Sequence, residues 1–293
     1  MTEHSTSRFV VSAPGSSANL GAGFDVLGLA VDLRAEVGVG DAPDGAQNID
    51  ERHPAAVAYK RLGGSEQLWS RSRLPMGRGL GFSGAARAAG AMLAIVEREG
   101  LSEVAYEGDA RNEAFRVVAE LEGHPDNAAA SIFGGLVAAS PDHVAQIPIS
   151  EDWVVLVWIP ENTTSTDKSR TQLESTVQRD DAVANLAAIA HFIAGVTSGD
   201  EGLVRAGVID RLHQPQRLAG VPASASALTA MLELGAIGAW LSGSGPTVAG
   251  FFRRGATAAA ESSLSGGQVR VIDIDQRGVT ADYRSEAINL DFG

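Results

Sequence analysis

Four glycines in eight residues, Gly77, Gly79, Gly81 and Gly84, stand directly ahead of an alanine-rich apolar run that begins at Ala85, with Ser83 among them. No other stretch restricts the chain so strongly. Glycine accepts positive φ and lets a backbone close on a ligand. A loop of this kind that opens a helix leaves N–H groups unpaired at the positive end of the helix dipole, which suits an anion. Residues 74–86 therefore read as a phosphate-binding loop, with a surface turn before a helix as the plainer alternative. The Lys-Ser/Thr pair of the common nucleoside-triphosphate loop is absent. Gly79-x-Gly81-x-x-Gly84 fits the dinucleotide fingerprint by letter, but that fingerprint needs a buried parallel strand upstream. Trp69-Ser70-Arg71-Ser72-Arg73-Leu74-Pro75 alternates with charge and ends in proline, so it reads as a half-exposed strand or edge.

Composition narrows the function classes. The chain has 293 residues, 44% hydrophobic and 20% charged, enough for two domains or one large one. No cysteine occurs, which excludes disulfides, thiolate catalysis and cysteine-bound metal. A formal net charge of −13 argues against general nucleic-acid binding. A nucleotide needs only local positive potential, and Lys60, Arg61, Arg71, Arg73, Arg78 and Arg87 gather around the glycine loop; solvated surface charge accounts for most of them equally well. Residues 1–8 are polar and no run approaches a membrane span, so a cytoplasmic enzyme with no membrane partner is expected.

Two further glycine-rich turns flank the central one. Residues 9–13 form a β-prone run stopped by Pro14-Gly15, followed by Ser16-Ser17-Ala18-Asn19-Leu20-Gly21-Ala22-Gly23-Phe24-Asp25. Asn19 and Asp25 either bond locally within this turn or face a cleft. Near the other end lies Leu241-Ser242-Gly243-Ser244-Gly245-Pro246-Thr247, between two β-prone runs. Helices are expected over 54–62, 85–99, 111–121 and 181–195, and strands over 29–39, 153–159 and, last, 269–274. Glu120-Leu121-Glu122-Gly123-His124-Pro125-Asp126-Asn127 packs acids, a histidine and an amide into eight residues. These could bind a metal, catalyse, or cap the next helix through Asp126 or Asn127. Helices and strands interleave without a βαβ repeat, which points to an α+β fold. The composition shift over 141–151 marks the candidate domain boundary.

The three glycine-rich turns, in this order, together with the 120–127 box, Thr166 to Arg170, and Asp210-Arg211-Leu212-His213-Gln214-Pro215 with Arg217, resemble the GHMP kinase superfamily, and within it the homoserine kinases. The resemblance covers nearly the whole chain. It implies a two-domain fold, with a ribosomal-protein-S5-like ATP-binding domain over 1–147 and a ferredoxin-like domain over 148–293. It also implies transfer of the γ-phosphoryl group of ATP to the side-chain hydroxyl of L-homoserine, a step of threonine synthesis. The loop of Pro75, Gly77, Arg78, Gly79, Leu80, Gly81, Phe82, Ser83 and Gly84 would wrap the phosphates. Ser83 and Glu120 fall at the Mg²⁺ ligands, with Glu122 as the alternate. Asn19, Asp25 and His124 match the positions around the substrate's amino and hydroxyl end, and Arg170 and Arg217 match its carboxylate clamp, where a guanidinium fork suits a carboxylate. Thr166 belongs to the same pocket. Asn127 stands where mevalonate-type relatives carry an aspartate, so it would position the hydroxyl without acting as a base. A homodimer is expected from the family.

The chain departs from that pattern in places. Phe82 replaces a small polar residue of the second motif, Gly84 replaces an alanine, and Ala128-Ala129-Ala130 follows Asn127. These changes bear on nucleotide affinity. The competing expectations are a kinase of another small carboxylate-bearing alcohol and a weakly active, regulatory member of the same superfamily.

Overall fold

The computed structural model describes residues 9–101, 108–161, 171 and 173–283. Two antiparallel sheets with helices packed on them make an α+β structure. In the first sheet β1 (Phe9–Ala18), β2 (Leu27–Val39), β4 (Leu68–Ser72) and β3 (Gln47–Asn48) lie in that order, and β11 (Thr280–Tyr283) adds to the outer side of β1. A hairpin of β5 (Leu136–Ala139) and β6 (Val144–Ile147) joins through the β5–β2 pairing. The second sheet runs β10 (Gln268–Ile272), β7 (Trp153–Ile159), β9 (Val248–Arg253), β8 (Gly238–Leu241). All described strand pairings are antiparallel, so the strand feeding the glycine loop, β4, is not the parallel strand a dinucleotide site requires.

β1 does not stop at Pro14-Gly15. The register jumps there, with Pro14 opposite Arg34 and Gly15 opposite Val31, so β2 carries two extra residues and the pairing resumes to Ala18. A bulge absorbs the proline that would otherwise end a strand.

The first helices sit on this sheet. α1 (Pro54–Arg61) packs on α2 (Phe82–Glu99), which buries twelve residues, half of them alanine. Small side chains let α2 approach closely: a Cβ on Gly90 would stand 2.1 Å from the Ala55 carbonyl oxygen of α1. α3 (Asp109–Glu122) ends on left-handed Gly123, and α4 (Pro125–Phe133) starts two residues on. The cap of α4 is His124, with Pro125 at the first helical position, where its missing N–H costs nothing. Asp126 and Asn127 thus lie inside the first turn rather than capping it.

β7 explains how the two sheets share one interior. Val155, Val157 and Ile159 face the large core that also contains β1, β2 and α2, whereas Val154, Leu156 and Trp158 face a smaller cluster with Met231 and Phe252. A strand covered on both faces reads as an unbroken apolar run, as Trp153-Val154-Val155-Leu156-Val157-Trp158-Ile159 does. The expected division at 147/148 falls between β6 and β7. The chain nonetheless returns across it: 269–274 is not the last strand, because β11 follows and pairs with β1 from Phe9–Tyr283 to Ser12–Thr280. Arg34 fixes that return, bonding the Asp275 carboxylate, the Gly278 carbonyl at 2.8 Å and the Ser12 carbonyl at 2.9 Å.

The remaining helices cover the second sheet and its junction: α5 (Arg179–Ser198), α6 (Glu201–Gly207), α7 (Gln214–Ala219), α8 (Pro222–Glu233) and α9 (Ala258–Ser263). Contrary to the sequence expectation, α5 has the length and mean hydropathy, 1.3, to cross a bilayer by composition. Its Asn185 is buried and bonded to the Ala22 carbonyl and the Asp210 carboxylate, and Phe192 and Val196 join the core. That is how a surface helix of a globular body packs.

Candidate active site

A cleft of about 470 Å³ opens where the three glycine-rich turns meet. Gly77, Gly79 and Gly81 all have positive φ, between 66° and 76°. Two of them tolerate no side chain: a Cβ on Gly79 would lie 2.3 Å from the Ser242 carbonyl oxygen, and one on Gly81 2.1 Å from Ser16 Oγ. The second turn is therefore clasped between the first and the third. Gly81 is also the cap of α2, and no side chain bonds the first-turn N–H groups there. Such donors, with the helix dipole behind them, are the arrangement that suits an anion. Pro75, Gly77, Arg78, Gly79, Leu80, Gly81, Phe82, Ser83 and Gly84 all line the cleft.

The unusual residues of this loop have local reasons. Phe82 turns its ring edge-on to His53 at 5.8 Å and packs against the core, so it forms a wall of the cleft. Gly84 faces Asn127; a Cβ would meet that residue's Cβ at 3.3 Å, tighter than ordinary packing. Arg78 donates to the Pro160 carbonyl at 2.6 Å, which ties the loop to the end of β7.

Across from Ser83 stands Glu122, not Glu120. Ser83 Oγ donates to Glu122 Oε1, and Glu122 is among the lining residues. Glu120 pairs with Arg61 at 3.3 Å on the surface, its side chain 64% exposed, and does not line the cleft. Two residues apart on a helix of 3.6 residues per turn, the two acids point to nearly opposite sides. Arg87, one turn after Ser83 on α2, completes the group: its Nη1 lies 2.6 Å from Ser83 Oγ and also donates to Glu122 Oε1. Sequence reasoning saw Arg87 only as nearby charge, although its i, i+4 spacing from Ser83 puts both on one face.

The 120–127 box supplies a hydrogen-bonded chain. His124 Nδ1 meets Asp126 Oδ1 at 2.8 Å, the same oxygen accepts the Asn127 N–H at 2.7 Å, and Asn127 Oδ1 accepts from Ser16 Oγ at 2.8 Å. Asp126 was weighed with this box but given no role, and Ser16 was not singled out. Both are buried, and Asp126 holds His124 and Asn127 toward the cleft that all three line.

In the first turn Asn19, Leu20 and Asp25 are non-glycine residues with positive φ, at 74°, 46° and 56°. Such backbone is uncommon and gathers at functional sites. Asn19 stabilises it: its Oδ1 accepts the Asp25 N–H at 3.1 Å and its Nδ2 donates to the Gly243 carbonyl at 2.9 Å. Asn19 therefore does the turn bonding, and both it and Asp25 line the cleft.

Arg217 reaches the same cleft from α7 and is buried. Its Nη1 donates to the Gly243 carbonyl at 3.1 Å and to His213 Nδ1 at 3.2 Å, and its guanidinium lies 5.2 Å over the Phe24 ring. His213 is wholly buried, stacked 4.8 Å from Phe24, with Nε2 2.9 Å from the Gly21 carbonyl. These partners assign the neutral tautomer with hydrogen on Nε2, since Nδ1 accepts. Burial pushes His213 below its ordinary value, outweighing the raising pull of Asp210. Burial would raise Asp210 in turn, but hydrogen bonds from Asn185, the Gln214 N–H and the His213 N–H hold its carboxyl below the usual range. His213 and Asp210 are positioning groups that the motif contained and the sequence reading did not assign. Thr166 and Arg170 lie outside the described residues.

Among the described residues, no three His, Asp or Glu side chains gather to hold a metal. Ser83 and Glu122 together offer two oxygen ligands. Mg²⁺ commonly takes one or two protein oxygens plus phosphates and water, so the pair fits a cation that takes its other ligands from a nucleotide.

The fold and this cleft define a GHMP-type kinase. The family description "GHMP kinases N terminal domain" matches residues 52–135 and "GHMP kinases C terminal" matches 192–265. A homoserine kinase of Thermus thermophilus is 38% identical over 268 residues, covering 86% of this chain and 89% of the relative. One from Moorella thermoacetica is 36% identical over 266 residues, covering 83% and 87%. The crystal structure of homoserine kinase from Cytophaga hutchinsonii superposes with a TM-score of 0.77 at 24% identity, covering 96% of this chain and all of that one, a likeness of fold. The chain belongs to the GHMP kinases and, within them, to the homoserine kinase family.

Proposed function

We infer that the chain is an ATP-dependent kinase that phosphorylates the side-chain hydroxyl of L-homoserine, giving O-phospho-L-homoserine and ADP. One arrangement carries the reading: an uncapped helix N-terminus with Ser83 and Glu122, and the buried Arg217 with the half-buried Asp25, all lining one cleft. A small zwitterion needs one cation and one anion, and phosphoryl transfer needs in-line positioning and neutralised charge.

The residues divide the work by chemistry. The N–H groups at the start of α2 take phosphate oxygens. Ser83 and Glu122 would hold Mg²⁺, which supplies charge neutralisation on the transferring phosphoryl group. Arg217, aimed by His213 and Gly243, binds the substrate carboxylate; Asp25 takes its ammonium group. Asn127, fixed by Ser16 and Asp126, orients the hydroxyl with His124 beside it. Glu122 replaces Glu120 in this assignment because Glu120 faces solvent.

Mg·ATP-dependent ADP release with L-homoserine, compared with L-serine, L-threonine, mevalonate and galactose, tests the reading, with product identified by phosphorus NMR. Turnover restricted to L-homoserine and lost in Ser83→Ala is expected. Activity on a different alcohol would overturn the substrate, and silence with all five would overturn the activity.

A further inference from the structure

Arg87 is not explained by the assignments above. It stands in the second turn of α2, near the positive end of that helix, where a cation is poorly placed. Its Nη1 binds Ser83 Oγ and Glu122 Oε1, the two oxygens a cation would take. Its Nε–H is buried and has no acceptor among the described residues. Buried donors are nearly always paired, so an orphaned one at the edge of a cleft marks a group waiting for an acceptor.

We propose that Arg87 is a second phosphate-binding cation, which holds Ser83 and Glu122 until Mg²⁺ displaces it and then turns onto the nucleotide's phosphates. The proposal rests on the kinase reading. A guanidinium and Mg²⁺ repel each other and compete for one carboxylate oxygen, so the metal's arrival frees the fork. A phosphate oxygen then supplies the acceptor that Nε–H lacks, and the planar fork suits it. Without metal, Arg87 alone still offers the phosphates a positive partner.

Binding of a non-hydrolysable ATP analogue to the full chain, measured by calorimetry in EDTA and over a Mg²⁺ titration, separates this from a packing role. The variants are Arg87→Ala, Arg87→Met, which keeps much of the apolar stem, and Arg87→Lys. Metal-free affinity should fall about tenfold or more in Arg87→Ala and Arg87→Met and recover partly in Arg87→Lys. The Mg²⁺ concentration for half-saturation should fall in the same two variants, because the competitor for Glu122 is gone. A packing defect would raise that concentration and weaken metal-free binding together, and would overturn the proposal. So would metal-free affinity equal to that of the unaltered chain. Loss of all analogue binding by the unaltered chain in Mg²⁺ would instead overturn the kinase reading.

Discussion

At the scale of single residues, the site turns on which of two acids faces Ser83. Glu122→Gln should lower kcat by about a hundredfold or more, the usual order for loss of a charge-stabilising group, and raise the Mg²⁺ requirement. Glu120→Gln should stay within about twofold, since an exposed ion pair contributes little. Steady-state kinetics over a Mg²⁺ series decides between them, and equal losses would refute the orientation of α3 described above. His213 gives a second test. Its value is lowered in the fold, so the unfolded chain, with an imidazole near 6.5, protonates first on acidification. Its contribution is whole above that value and is lost as pH falls from there toward the folded value. The melting temperature should therefore drop as pH falls through about 6.5, and the drop should be shallower in His213→Gln. Some slope should remain there, because burial lowers His53 as well. The same acidification would place a cation against Arg217. Most of the lining residues were legible, because loop glycines and a dense polar box are strong local signals. The choice of Glu122 was not, since motif matching counts letters and the answer lies in where α3 stops at Gly123.

Elements show the same limit from the other direction. α2 and β7 were readable from composition: an alanine-rich run after a glycine cap, and seven apolar residues in a row. β1 was read as half its length, because Pro14-Gly15 ends a strand unless a partner supplies a bulge, and the partner is remote. β11 was missed because Thr280-Ala281-Asp282-Tyr283 is only four residues long, too short for its alternation to stand out, and it exists by pairing with β1. Gly90 carries a prediction at this scale. In a helix interior alanine is better than glycine by about 1 kcal/mol, so propensity says Gly90→Ala stabilises. The 2.1 Å approach to the Ala55 carbonyl says the reverse, and backbone cannot yield as a flexible side chain does. Overpacking of this kind costs about 1–3 kcal/mol, so urea unfolding should show a net loss. A gain would mean that α1 can shift away from α2 freely.

For the molecule as a whole, charge is the governing number. Thirty-six acids face 23 basic residues, of which only two are lysine, and the net charge is −13. Self-repulsion on that scale weakens a compact state, and salt shortens the screening length from about 10 Å at 0.1 M to about 3 Å at 1 M. Melting temperature should rise over that range of KCl; a steady fall would mean that exposed ion pairs such as Arg253–Glu201 outweigh the repulsion. The closure of the first sheet by β11 has a different kind of consequence, one that concerns synthesis. The strand that starts at residue 9 leaves a ribosome well before its partner at 280–283. At roughly 5–20 residues per second, β1 waits tens of seconds with one edge bare. During that wait Arg34 lacks Asp275, the Gly278 carbonyl and Thr280. The nascent chain can thus build the glycine loop early, but it closes the outer edge of β1 only once residues 280–283 have been made.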